Sequence, residues 1–139
     1  MHIQKVRDYI EGDLVDIAIN PFSEFKGYEP LIHLESTVKK TLEEDGKIIC
    51  IFCAIEYSAD KWKGFMICSE SIASRHIMNV KDVIQNFLKV YNVDRLETES
   101  VDCEKLNKWH VMLGFELEGK KRRYISDKDF NVWGIVHGN

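Results

Sequence analysis

The sequence predicts an α/β (α+β) domain, a mixed β-sheet flanked by helices on both faces, in the order β-α-α-β-β-α-β-α-β-β. Three observations predict it. Apolar residues switch repeatedly between a spacing of two and a spacing of three or four, so strands and helices interleave along the chain. The run KIICIFCAIEY at 47–57 is apolar on both alternations, which suits a central strand covered on two faces. The 139 residues carry no repeat, low-complexity tract or Gly/Ser linker, so residues 1–139 read as a single domain. With 45% hydrophobic residues and two prolines, that domain can bury a core of its own.

The elements follow in order. Residues 1–7 alternate around Ile3 and Val6 and predict a first strand. From Asp8, Ile10, Leu14, Ile17 and Ala18 share one helical face, and Asn20-Pro21 stops that helix. Residues 22–30 form a loop holding Phe22, Phe25 and Tyr28, which the composition suits to folding over something apolar. Leu34, Val38 and Leu42 define a second helix over 31–44, ended by Asp45-Gly46. After the central strand, 58–64 reads as a turn and 65–68 as a strand returning in a hairpin. Val80, Val83, Ile84, Phe87, Leu88 and Tyr91 make an amphipathic helix with Asn79 as its N-cap. Residues 95–101 form a strand with Leu96, Thr98 and Ser100 on one side. Asp102 caps a following helix whose apolar face is Leu106, Trp109, Val111 and Leu113, and Gly114 ends it. Strands at 115–125 and 129–136, joined by a turn at 126–128, close the domain.

Composition excludes several function classes. A net charge of −4 and a pI near 5.7 make nucleic acid an unlikely general partner, because phosphate contacts call for a surplus of Lys and Arg. The longest apolar run, 48–55, falls far short of the ~20 residues that cross a bilayer. The acidic, alternating start MHIQKVRDYIEGD lacks the pattern of a secretion signal, so a cytoplasmic protein is expected. Cys50, Cys53, Cys68 and Cys103 fit that compartment as reduced thiols.

Few constellations carry chemistry. Cys50 and Cys53 form a CxxC, yet residues three apart on a strand point to opposite faces, so two buried, inert thiols are expected. The five histidines show no metal-binding spacing, and no metal site is expected. Nucleotide-loop and serine-hydrolase signatures are absent from the sequence. The run Lys120-Lys121-Arg122-Arg123 suits a charged strand edge better than a phosphate site. Glu97 and Glu99, alternate residues on one strand face, are candidate general bases.

The sharpest signal is Met112-Leu113-Gly114-Phe115-Glu116-Leu117-Glu118-Gly119 at the end of the penultimate helix. It resembles the L-G-F-x-x-x-G motif of the GNAT superfamily of N-acetyltransferases, and in particular its divergent bacteriophage-type members. The resemblance implies that two parallel strands, here 65–69 and 96–100, splay apart to hold the pantetheine arm of acetyl-CoA. It further implies that the turn and helix start at 71–80 bind the diphosphate. The implied cofactor contacts are Ile67, Cys68 and Ser69 on the strand, Ser74, Arg75, His76 and Asn79 in the turn, and Asn107 on the penultimate helix. His110 stands four residues before Gly114-Phe115, where the family often has a tyrosine general acid, and an imidazole suits proton transfer near neutral pH.

The family's diphosphate turn is glycine-bearing, whereas residues 70–79 contain none. Two readings follow. One is an acetyl-CoA-dependent N-acetyltransferase acting on an amine of a small molecule or protein, as a monomer or homodimer. The other is a catalytically degenerate phage protein of the same fold that binds a host or phage protein.

Overall fold

A computed structural model describes residues 3–17 and 38–137. Seven strands form one sheet in the order β1-β2-β3-β4-β5-β7-β6. They are β1 (Gln4–Asp8), β2 (Val38–Glu44), β3 (Lys47–Ser58), β4 (Lys61–Cys68), β5 (Arg95–Val101), β6 (Glu116–Ile125) and β7 (Lys128–Val136). Among the described residues the helices are α1 (Asp13–Asp16), α2 (Ile77–Val90) and α3 (Glu104–Leu113), with a 3₁₀ turn, Ser74–His76, leading into α2. Every neighbouring pair is antiparallel except β4 and β5, which run parallel because α2 carries the chain back across the sheet between them. The mixed sheet with flanking helices is the fold class that the hydrophobic periodicity predicts.

The sheet divides the core in two. Cys50, Phe52 and Ala54 of β3 face α2 and α3, where Phe87, Leu88 and Leu113 are sealed from solvent. Ile51 and Cys53 point the other way, against Phe65, Ile67 and Ile17. The two thiols of the CxxC therefore lie on opposite faces, and burial pushes Cys53 up to about 12. Truncating a sealed leucine such as Leu88 to Ala costs about 2–5 kcal/mol.

Several expected boundaries are corrected. Residues 38–44 are strand β2 rather than the end of a helix; the spacing of Val38 and Leu42 fits either, and pairing with both β1 and β3 decides it. The early part of that expected helix, 31–37, and the aromatic loop 22–30 lie outside the described residues. Among the described residues the helix expected from Asp8 is only α1, because the Asp13 carboxylate accepts hydrogen bonds from the Ile10 N–H at 3.0 Å and from both terminal nitrogens of Arg7, making a turn where the first helical turn was expected; 18–20 lie outside the described residues. Ile10 is exposed as a result. The turn expected at 58–64 is confined to Ala59-Asp60, and Gly64 lies inside β4. Asn79 is inside α2, its amide donating to Gln4 Oε1 at 2.6 Å, instead of capping the helix. Asp102 does not cap α3; its Oδ1 accepts from Asn107 and Asn131 and its Oδ2 from Lys120. Val111 is exposed, off the apolar face of α3.

Among the described residues, no helix is long and apolar enough to cross a membrane.

Candidate functional site

β4 and β5 pair over three residues only: Lys61 with Arg95, Trp62 with Leu96 and Lys63 with Glu97. Beyond that point each strand keeps its outer partner, β4 following β3 as far as Cys50–Cys68 and β5 following β7 as far as Val101–Phe130. A wedge opens between them. Gly64 sits at its floor, where an added Cβ would meet Leu96 Cδ1 at 3.0 Å. The wedge holds a cavity of about 70 Å³ lined by Met66 and Cys68 of β4, Thr98 and Glu99 of β5, and Trp109 and His110 of α3. The two strands do not pair with each other there, so an extended, amide-bearing ligand can lie between them.

α3 aims His110 into this space. Gly114 takes a left-handed φ of 99°, which turns the chain out of the helix and sends Phe115 N–H back to the His110 carbonyl at 3.0 Å. The imidazole is 7% exposed and lies 2.7 Å through Nδ1 from the Leu106 carbonyl. A carbonyl only accepts, so Nδ1 carries the proton and Nε2 presents a lone pair. Burial pushes the ring's pKa below its ordinary value, which keeps it uncharged at neutral pH. Trp133 stacks on the ring at 5.1 Å and 12°, and its own indole N–H donates to Ser100 Oγ at 2.9 Å.

By strand alternation Glu99 leaves β5 on the opposite face from Ser100. Its side chain is 5% exposed. Oε1 accepts from Lys63 at 3.0 Å and Lys121 at 2.7 Å, while Oε2 is buried without a hydrogen-bond partner. Burial raises the carboxyl's pKa, but the two ammonium groups outweigh that and hold it below the ordinary carboxylate range. Glu97 differs: it accepts from Arg95 at 3.0 Å beside the zipped part of the strands and does not line the cavity.

The remaining nominated residues divide. Cys68 lines the wedge, and Ile67 beside it turns its side chain into the opposite core cluster. Ser69 is buried and holds the strand end through its N–H to the Ile49 carbonyl at 2.7 Å. Arg75 is engaged elsewhere, with Nη2 at 2.7 Å and Nε at 3.1 Å from the two Glu44 oxygens. His76 is fully buried; its Nδ1 accepts the Ala73 N–H at 2.9 Å and its Nε2–H donates to Glu44 at 2.9 Å. His76 thus anchors the turn to β2 instead of offering a charge to a ligand. Ser74 is exposed in the same turn. Asn107 is held between Asp102 and Asn131 at 2.9 Å each, and hydrogen bonds to Asp102 from Asn107, then Lys120 and Asn131, hold its carboxyl down to about 2.

Sequence reasoning missed Lys63, which falls in the segment read as a turn, and Glu44, which falls in the segment read as a helix. It treated Lys121 only as part of a charged edge. Three cations of that run are paired, Lys120 with Asp102, Lys121 with Glu99 and Arg123 with Asp127. Asp102 and Glu99 lie on distant parts of the chain, so spacing alone carries no signal for them.

The chain is similar in structure to spermidine/spermine N-acetyltransferase SpeG from Vibrio cholerae, with a TM-score of 0.74 at 15% identity over 96% of this chain and 92% of that one. It is similar to the ribosomal-protein-S18-alanine N-acetyltransferase from Escherichia coli, with a TM-score of 0.77 at 14% identity over 96% and 94% of the two chains. An IAA acetyltransferase from Bacillus cereus ATCC 14579 gives a TM-score of 0.74 at 11% identity over 99% and 100%. No protein-family model and no curated protein matches the sequence. The structural likeness establishes that the fold is that of the GNAT acetyltransferases.

Proposed function

We propose that this chain is an N-acyltransferase that takes an acyl group from a thioester lying in the β4/β5 wedge and delivers it to an amine. The observation that carries the reading is the three-residue pairing of β4 with β5, followed by an apolar opening that His110 and Glu99 both line. Acetyl-CoA is the donor that the fold suggests, and its thioester arm fits an opening between two strands that no longer pair with each other.

The bound thioester supplies an activated carbonyl: the amine nitrogen forms the new C–N bond, the C–S bond breaks, the nitrogen gives up one proton and the sulfur gains one. The chain's own groups suit that exchange. Glu99 Oε2, ionised and unpartnered, accepts a hydrogen bond from the incoming amine and draws it to the mouth of the wedge. His110, uncharged with its lone pair on Nε2, takes the proton from nitrogen and hands it to the departing sulfur, so one residue serves as base and then as acid. This differs from a residue that is charged at the outset and acts only as an acid. Trp133 and the Leu106 carbonyl fix the ring's plane and tautomer during the exchange. Cys68 and Ile67 supply the strand edge along which the arm lies, and Asn107 steadies the start of α3. Glu97, tied to Arg95, has no part in this reading.

The test is a thermal melt with and without acetyl-CoA, together with thiol release over a panel of primary amines. A ligand that binds only the folded state raises the midpoint, by several degrees at a concentration well above Kd. An unchanged midpoint together with no thiol release above the protein-free rate overturns the proposal.

A further inference from the structure

We propose that Cys50 and Cys68 form a redox pair, in which hydrogen peroxide oxidises Cys68 and Cys50 then closes a disulfide onto it. This goes beyond acyl transfer and does not depend on it. The CxxC spacing pairs Cys50 with Cys53, but the fold puts those two on opposite faces of β3. Strand register gives Cys50 another partner, because Cys68 of β4 stands directly across from it. One step further along, the Ser69 N–H donates to the Ile49 carbonyl at 2.7 Å, which makes Cys50 and Cys68 a non-hydrogen-bonded pair. Antiparallel residues at such positions are about 4.5 Å apart at Cα, inside the roughly 4.4–6.8 Å that a disulfide spans. The two thiols are already in hydrogen-bond contact. Residues 50 and 68 can therefore be bridged without moving either strand.

Their surroundings divide the roles. Cys68 is half-buried and lines the wedge cavity of about 70 Å³, so an oxidant little larger than water reaches its sulfur. Cys50 is buried in the core, where the contact with Cys68, and then burial, push its pKa well above the ordinary thiol value. A thiol that keeps its proton and directs it at a neighbouring sulfur favours the ionised form of that neighbour, which is the reactive one. Cys53 has no such opening: it is sealed on the other face and pushed up to about 12. In the first step the Cys68 sulfur forms a bond to one peroxide oxygen, the O–O bond breaks, and a sulfenic acid and one water result. In the second the Cys50 sulfur attacks the Cys68 sulfur, the S–O bond breaks, and the Cys50 proton leaves with the hydroxyl as a second water. Two electrons pass from the thiol pair to the peroxide. A sulfenic acid with no thiol beside it goes on to the irreversible sulfinic acid, so Cys50 keeps the sulfur of the wedge at a stage that a thiol reductant reverses.

Mass spectrometry of the full chain in about 1 mM hydrogen peroxide, with thiols alkylated after denaturation, tests this. Within about an hour the chain should become about 2 Da lighter, with alkylation confined to Cys53 and Cys103, and dithiothreitol should restore the original mass. A peptide map that joins any other two cysteines overturns the proposal. So does a chain that keeps all four thiols, or one that gains oxygen at Cys68 while Cys50 is still alkylated. Cys53→Ala should form the bridge as the wild type does, and loss of the bridge in that variant would put Cys53 in it and overturn the pairing. Cys50→Ala should instead carry Cys68 to the sulfinic acid, about 32 Da heavier and not recovered by dithiothreitol. Cys68→Ala is a second variant should the first fail to fold: its Cys50 should stay reduced, and a loss of about 2 Da from it would overturn the proposal.

Discussion

Trp133 lies almost parallel to His110, ring centres 5.1 Å apart and planes 12° apart, and is itself held by its indole N–H on Ser100 Oγ. The imidazole is thereby limited to one plane, with Nδ1 committed to the Leu106 carbonyl. His110→Ala should lower kcat by about 10²-fold or more, the scale of a lost proton-transfer group, and leave thioester affinity within about twofold. The pH profile follows from the sign of the shift. The ring acts uncharged, and its pKa is below the ordinary histidine value, so kcat/KM should hold through neutrality and fall only as acid protonates it. A rate that instead rises toward acid would assign His110 the opposite starting state.

Glu99 contributes through the oxygen that its lysines leave alone. Glu99→Ala should raise KM for the amine by about tenfold while the affinity for the thioester is unchanged, read from steady-state kinetics beside a thioester titration. The two lysines keep access to water, so the change in melting temperature should be small.

Glu44 ties the turn before α2 to β2, and its pKa is down to about 2, chiefly through Arg75 and then through His76. A depressed carboxyl stabilises the fold above its unfolded value near 4.5 and loses that contribution as pH falls toward 2. The melting temperature of the wild-type chain should therefore decline through that window, and Glu44→Gln should start lower at neutral pH and decline less steeply.

Gly64 keeps the floor of the wedge open. Gly64→Val places a branched side chain against Leu96 Cδ1, 3.0 Å from where even a Cβ would stand. Overpacking of this kind costs about 1–3 kcal/mol, and the variant should lose most of its thioester affinity in titration even where it remains folded. Unchanged affinity would place the ligand outside the wedge.

Elements set by local pattern were legible in the sequence. β3 shows as an unbroken β-branched run, α2 as a 3.6-residue stripe, and α3 as a helix closed by Gly114. Elements decided by distant partners were not. The Val38–Leu42 spacing suits two secondary structures, and the pairing that selects one involves β1 and β3. Gly64 looks like a turn residue, but it serves in β4 because a side chain there would collide with the neighbouring strand. At the site, His110 stood out through its place before Gly114-Phe115. Nothing in the chemistry of residues 61–68 and 95–101 announces that two strands part after three pairings, and the alternation of Glu97 and Glu99 does not say which of them meets the lysines. Arg75 and His76 drew attention as charges near a helix start, and only Glu44, 31 and 32 positions earlier, reveals that both are already engaged.

The strand order has a consequence for biosynthesis. β7 lies between β5 and β6, so the later-made strand must insert beside the earlier β5 before β6 has anything to lean on. A nascent chain that has emerged only through α3 carries His110 without Trp133 beneath it and leaves the far edge of β5 bare. The pocket is therefore assembled only once the β6–β7 hairpin has followed α3 out of the ribosome.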